Sequence, residues 1–546
     1  MKSRQPVPVP WARYSTSPRL FINFARGLNE NTTPDVEECG VGYNFDLAVG
    51  QTSFNPRKAF DLAGTAPAVS GVTANTATGL MQLVKRDTTQ TTLSVHGTAV
   101  FLWDGASTFT NKGTVTAPAL MRDTYWSLGE YLVITDINLN NAVQMWDATT
   151  FQALPTGLAN VLKAKYALVY LNRVWLFNIT YNNVAYPHMV LASYFQNPQS
   201  YSTSIQGGPT TVGGGTFSTG LEAFYLLAPD MRPINGAVVF QNTLIISTKE
   251  GRLWQLNGSS SLDFRFTDFF DNEPAVGNEC LTNVGNDVAF VARGGQINSL
   301  VATQNFGAVK PYSLSKWVPT STKNITPTQI IYDVVNQKIL FFVGDKILVL
   351  FKDIMLTPGA ESQKSPWSVY KTQASFSFNT STVKYMYAPG TTNYSVFLGD
   401  SSGNLYNLNG AGLRDAGSYD ISAYRRTRHI GTEILPSWPW VDENITGRLR
   451  YRRLTPVEAT ITLEWDDEYN NAQTTVKLKG PPVTDTAPYW GDTIYWGDTN
   501  YWNDGFQFTG GTGEITLDPG GKGPGFYMSV SVTTNSTFEI DAIEWD

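Results

Sequence analysis

Two stretches far apart in the chain are nearly copies of each other. Leu244-Ile245-Ile246-Ser247, a turn through Thr248-Lys249-Glu250-Gly251 and then Leu253-Trp254-Gln255-Leu256-Asn257-Gly258 form the first. Ser395-Val396-Phe397-Leu398, a turn through Asp400-Ser401-Ser402-Gly403 and then Leu405-Tyr406-Asn407-Leu408-Asn409-Gly410 form the second. Each is an apolar strand, a polar turn and a strand carrying a large aromatic. Looser versions begin near Leu93, Tyr131, Leu168, Val288 and Ile339, at intervals of roughly 35 to 55 residues with one larger gap before Leu244. A lone hairpin of this kind leaves an apolar face in water, and stacking the copies around a ring buries it. The pattern predicts an all-β chain built on a β-propeller of six to eight blades, seven favoured. The alternative is a set of unrelated hairpins in a large sandwich, and the near identity at Leu253 and Leu405 argues against it.

The repeat texture predicts a division into three parts. Residues 1–90 form an N-terminal extended segment and the start of the propeller, and residues 91–415 the propeller itself. A glycine-rich insertion, Gly207-Gly208 and Gly213-Gly214-Gly215, leaves the ring as a loop near 205–220. Residues 420–546 form a separate β-sandwich-like domain, whose last strands are Gly525 to Val532 and Phe538 to Ile543, with Asn535 and Ser536 near the turn. The aromatic fraction of 13%, with 47 glycines and 29 prolines, suits strands and turns throughout. The most apolar run, Ile339 to Phe351, is broken by Gly344-Asp345-Lys346 and reads as a hairpin, so no membrane-spanning segment is expected. The prolines at 6, 8 and 10 interrupt the opening residues, which therefore do not read as a signal peptide.

Little in the sequence points to catalysis, cofactor or metal. The three histidines, His96, His188 and His429, stand in unrelated contexts, and the two cysteines, Cys39 and Cys280, have no ligand spacing and read as buried, reduced thiols. No phosphate loop or dinucleotide fingerprint occurs. The carboxylates Asp466-Asp467-Glu468 and Asp268, Asp271 and Glu273 are simpler as solvated turns than as a glycosidase pair. With 39 Lys and Arg against 46 Asp and Glu, the net charge of −7 does not favour a tight grip on nucleic acid.

Two features call for a partner. Arg425, Arg426 and Arg428 are followed by Arg448, Arg450, Arg452 and Arg453. Alternate arginines on a strand present one face, to phosphate or to acidic residues of the ring or of a neighbouring subunit. The second feature is a tandem hexapeptide carrying Tyr489-Trp490, Tyr495-Trp496 and Tyr501-Trp502, each pair followed by Gly-Asp or Asn-Asp. Tyrosine and tryptophan dominate interface hot spots, so these six residues are the candidate partner-binding surface. A self-packed loop and a sugar-stacking ladder are the other readings.

The segment Arg19 to Leu62 resembles the opening of the propeller-bearing tail nozzle proteins of short-tailed bacteriophages. The likeness rests on Gly27-Leu28-Asn29, Pro34, Glu38-Cys39, Asn44-Phe45-Asp46-Leu47, Gly50 and Arg57-Lys58-Ala59-Phe60-Asp61-Leu62, with Ala59 where that family has glycine. The resemblance implies a non-enzymatic virion protein assembled in the host cytoplasm. It implies a homo-oligomer, commonly a hexameric ring, below an adaptor ring. Such a ring lines a conduit in transient contact with genomic DNA, retains the packaged DNA and docks fibres or spikes. A slightly acidic lumen lets a polyanion slide, since each neutralised phosphate adds affinity. The alternative function is a host-recognition propeller at the tail tip that binds carbohydrate.

Overall fold

The computed structural model describes residues 20–22, 27–31, 39–47, 55–69, 75–201, 221–270, 275–277, 279–285, 287–299, 312–355, 365–372, 380–410, 415–419 and 421–427. In the C-terminal part it describes 430–431, 447–453, 459–466, 471–478, 512–517, 525–534 and 538–545. The chain forms two compact units, one made of residues 28–31 and 57–421, the other of 1–27, 32–56 and 422–546.

The first unit is a ring of seven four-stranded antiparallel sheets. Six are built from consecutive strands within 77–114, 121–153, 162–227, 234–270, 281–313 and 329–371, called blades 1 to 6. Blade 7 takes three strands from 380–407 and its outermost strand, Asp61–Thr65, from the other end of the unit. The first strands of consecutive blades touch all the way round, from blade 1 through blade 7 and back to blade 1, so they line the axis. The ring is a seven-bladed β-propeller.

Blade sheets are covered on both faces by their neighbours, and the sequence shows it. Middle strands read as continuous apolar runs rather than alternations: Tyr131–Asp136 is buried at every position, as is Lys338–Phe342. Between blades 3 and 4 lie Tyr170, Trp175, Phe224, Ile234, Ile246, Trp254 and Phe264 as one buried cluster. Trp175 meets the rings of Phe224 and Phe264 edge-on at 5.5 and 5.3 Å between centroids.

The two near-copies occupy equivalent places. Trp254 pairs with Ile246 in blade 4 and Tyr406 with Leu398 in blade 7, each on the third strand facing the second. Gly403 has φ +87, and a Cβ there would lie 2.6 Å from the Asn75 carbonyl, so the turn glycine of the template is required at that copy. The hairpins near Leu93, Tyr131 and Ile339 are also second and third strands, and Val288 opens a second strand.

Three features go beyond what the local pattern carries. The hairpin near Leu168 comprises the first and second strands of blade 3, joined by Leu171 and Asn172, both at positive φ, a two-residue turn shorter than the template's own. In the stretch before residue 90, Cys39–Tyr43 pairs with Ile421–Thr427 and Leu20–Ile22 with Phe538–Trp545, and Ala77–Val84 is the axial strand of blade 1. Partners hundreds of residues away leave no local mark on a strand. Finally, Gly525–Thr534 and Phe538–Trp545 do not pair with each other; they belong to different sheets of the second unit.

Those sheets are antiparallel. One has the order 20–22, 538–545, 447–453, 512–517; the other runs 39–43, 421–427, 525–534, 459–466, 471–478, with 430–431 on 525–534. The glycine-rich insertion and the Asn535-Ser536 turn lie outside the described residues. Among the described residues, no helix is long and apolar enough to cross a membrane.

Candidate functional site

The axis of a propeller is where its innermost strands bring side chains from all blades together, and here that axis is tied across. Arg122, on the first strand of blade 2, donates from Nε to Glu279, which immediately precedes blade 5. Its Nη1 donates to the Met121 carbonyl at 2.8 Å and reaches Thr382 Oγ1 of blade 7 at 3.4 Å. The next residue on the same strand, Asp123, accepts from Lys384 Nζ of blade 7 at 2.5 Å. Arg122 and Glu279 keep only 14% and 15% of their side-chain surface, and such largely desolvated charges hold only as a pair. Burial, and then the Glu279 charge, push the Tyr166 hydroxyl of blade 3 well above the usual phenol range.

Two other carboxylates of the ring are taken up by its turns. Asp136 accepts from the backbone amides of Leu120, Asn138, Asn140 and Asn141 at 2.9 to 3.1 Å. Asp400 accepts from Ser402 and Asn404 in the equivalent turn of blade 7. Each carboxylate satisfies amides that a tight turn would otherwise leave unpaired. Asp268 pairs with Arg252 at the surface, whereas Asp271, Glu273, Asp467 and Glu468 lie outside the described residues.

The histidines and cysteines stay apart. His96 is buried between the rings of Phe101 and Phe109, at 6.0 and 5.9 Å, and burial pushes its pKa down to about 4. Burial also lowers His188; His429 is outside the described residues. Cys39 and Cys280 are free and buried, and burial pushes the Cys280 thiol up to about 12. Among the described residues, no group of three or more His, Cys, Asp or Glu is placed to hold a metal.

Several residues of the N-terminal segment are tie points. In the propeller unit, the Leu28 amide bonds the Trp367 carbonyl at 2.7 Å, and the Leu28 carbonyl accepts from Ser365 Oγ, on the outer strand of blade 6 and just before it. Arg57 is buried in a bidentate pair with Asp415 and lies 3.8 Å over the ring of Phe60. In the second unit, Asn44 takes φ +59 and donates its amide to the Ser422 carbonyl at 2.7 Å, and Phe45 is fully buried.

The candidate interface residues divide differently. Strand Gly447–Arg453 places Arg448 opposite Glu544, Arg450 opposite Glu514 and Arg452 opposite Glu539 in the register of its two flanking strands. Arg425, from the same basic stretch, is buried at 2% exposure with its guanidinium 5.7 Å from the Phe45 ring. Tyr489, Trp490, Tyr495, Trp496, Tyr501 and Trp502 lie outside the described residues. Sequence reasoning missed Arg122, Glu279, Asp123 and Lys384 altogether. Arg122 and Asp123 are adjacent on one strand, but only ring closure brings them to Glu279 and Lys384.

No protein-family model matches the chain, and no curated protein matches it. Solved structures resemble it in part. The computationally designed Ika8 protein is 11% identical, with a TM-score of 0.32, over 64% of this chain and 99% of that one. BBS1N in complex with ARL6DN is 9% identical, TM-score 0.39, over 64% and 96%. A catalytically inactive virginiamycin B lyase from Staphylococcus aureus, with quinupristin, is 12% identical, TM-score 0.39, over 62% and 97%. The fold assignment itself rests on the seven sheets and their closure.

Proposed function

We propose that this chain is a structural subunit of a bacteriophage tail, one copy in a hexameric nozzle ring that encloses the DNA conduit, retains packaged DNA and docks fibres or spikes. The observation that carries this reading is the placement of the resembling residues. Leu28, Asn44, Phe45, Arg57 and Phe60 are buried or bonded at points that fix the N-terminal segment into one unit or the other. A likeness at such positions is one of architecture. The cross-tied axis fits the same role, because a propeller tied through Arg122–Glu279 and Asp123–Lys384 serves as a solid block. In this reading DNA passes through the space between copies, not through any one ring of blades.

Cryo-electron microscopy of the particle that carries the chain tests this directly. Six copies around the tail axis, above the fibres and below the portal, are expected. Copies confined to a fibre or spike at the tail tip would sink the nozzle reading and put host recognition in its place.

A further inference from the structure

Antiparallel order within each blade puts the turns joining strands one and two, and three and four, at one end of the ring and the remaining connections at the other. Among the described residues, fourteen large apolar side chains are exposed, and nine of them lie in blades 2 to 4. They stand in or next to the connections, so these three blades present apolar surface at both ends of the ring.

At the first end, Leu171, Tyr194, Leu221 and Leu262 adjoin across blades 3 and 4. The Gln196 amide donates to the Asn172 carbonyl at 2.8 Å, the Phe195 amide to the Leu221 carbonyl at 3.0 Å, and Ser261 Oγ to Glu222 at 2.9 Å. The connections at this end of blades 2 to 4 hold the carboxylates Glu130, Asp147, Glu222 and Asp263 and no lysine or arginine. The neighbouring cations are Arg86 of blade 1, 3.6 Å from Glu130, and Arg265, which opens the outer strand of blade 4.

At the opposite end Val161, Val184 and Met231 are exposed, Arg232 follows Met231, and the Lys249 amide donates to the Pro233 carbonyl at 2.8 Å. Asp230 is taken up there by the Thr248 hydroxyl at 2.6 Å and the Arg232 amide at 3.2 Å, and Arg252 pairs with Asp268. Arg232 and Lys249 therefore outweigh Glu250, the remaining carboxylate of the connections between 154 and 252 at this end. Burial, and then the Lys249 charge, push the Lys165 amine down, so cations crowd this end.

Two of the apolar residues stand where folding disfavours them. Leu171 has φ +46 and Met231 φ +53, a region that glycine and asparagine adopt at little cost and longer side chains do not. Both are exposed, at 41% and 53%. An apolar side chain there serves neither the turn nor the core; it serves a contact with a partner.

We infer that blades 2 to 4 join copies of this chain head to tail, the acidic apolar end of one copy seated on the basic apolar end of the next. Apolar centres with rims of opposite charge are what a protein interface needs. A contact between two different surfaces repeats from copy to copy and closes into a ring where the rotation allows, so this inference rests on the ring proposed above.

Sedimentation velocity of the full chain over a range of protein and salt concentrations tests the contact. Association that grows with protein concentration and weakens with salt is expected. The Leu171→Asn, Leu262→Asn pair at one end and the Met231→Asn, Arg232→Glu pair at the other should each abolish it. Melting temperatures should stay at or above wild type, since asparagine suits positive φ; Leu171→Asn and Met231→Asn alone serve if either pair melts early. Mixing the two pairs should restore a dimer and nothing larger, because each variant keeps the end that the other lacks. A wild type that is monomeric throughout, variants that associate as it does, or a mixture that stays monomeric overturns the contact. Six copies around the tail axis with unaffected variants would remove this contact and leave the ring, whereas restored dimers with copies confined to the tail tip would do the reverse.

Discussion

Arg57 and Asp415, separated by 358 residues of sequence, close a buried bidentate ion pair in the propeller unit, with side-chain exposures of 1% and 2%. Asp415 Oδ1 also accepts from the Phe60 amide at 2.9 Å, and Arg57 Nη1 donates to the Lys58 carbonyl at 2.8 Å. The pair therefore fixes the segment that leads into Asp61–Thr65, the strand that completes blade 7. Removing one partner strands the other charge away from water. Asp415→Ala is expected to cost about 3 to 5 kcal/mol in chemical denaturation. A loss below about 1 kcal/mol would mean that the pair does not hold the closure.

The closing strand itself gives a second test. A chain beginning near residue 56 and ending at 421 retains all 28 strands of the seven four-stranded blades. One beginning at residue 67 leaves blade 7 with three and an open edge, which invites association. Circular dichroism and light scattering should show the longer version folded and monodisperse and the shorter one aggregating. Equal behaviour would show that Asp61–Thr65 is dispensable.

Trp254 sits in the cluster between blades 3 and 4 at 8% exposure, and its indole N–H is buried without a hydrogen-bond partner. Trp254→Ala should cost about 3 to 5 kcal/mol through lost burial and a cavity. Trp254→Phe should cost under about 1.5 kcal/mol, since it keeps most of the packing and removes an unpaired donor. Unfolding titrations of the two variants in parallel check the ordering.

His96 makes the propeller sensitive to acid. Its pKa falls from 6.5 to about 4 on burial, so the native state holds it neutral while the unfolded chain takes up a proton. Stability from this residue is complete above pH 6.5 and is lost as pH falls toward 4. The integrated effect is about 3 kcal/mol. Melting at pH 7.5 and 4.5 should show a larger drop for the wild type than for His96→Leu, and identical drops would remove His96 from the account.

On the tail-subunit proposal, Trp490, Trp496 and Trp502 contact another subunit of the particle. Their simultaneous replacement by alanine should leave the melting temperature unchanged while tails assemble poorly, because buried interface aromatics often contribute about 2 kcal/mol or more each. A large fall in melting temperature would favour a self-packed loop. Normal assembly with lost adsorption to host cells would favour receptor binding.

How much of this was legible in the sequence follows from what is local. The hairpin template at Leu244 and Ser395 was readable because strand, turn and returning strand lie within some fifteen residues, and the apolar runs report burial on both sheet faces whatever the partner. From those two facts come the all-β class and the ring, with six to eight blades and seven favoured; the count itself is decided by the seven closed sheets. The pairing of Cys39–Tyr43 with Ile421–Thr427, the supply of Asp61–Thr65 to blade 7 and the placement of Phe538–Trp545 in a different sheet from Gly525–Thr534 left no such trace. A strand's composition records that it is paired but not with which distant segment. The axial ties are the same case. Arg122, Glu279 and Lys384 become neighbours only when seven sheets close on one axis, and it is that closure, a property of the whole ring, that turns scattered charges into a lock.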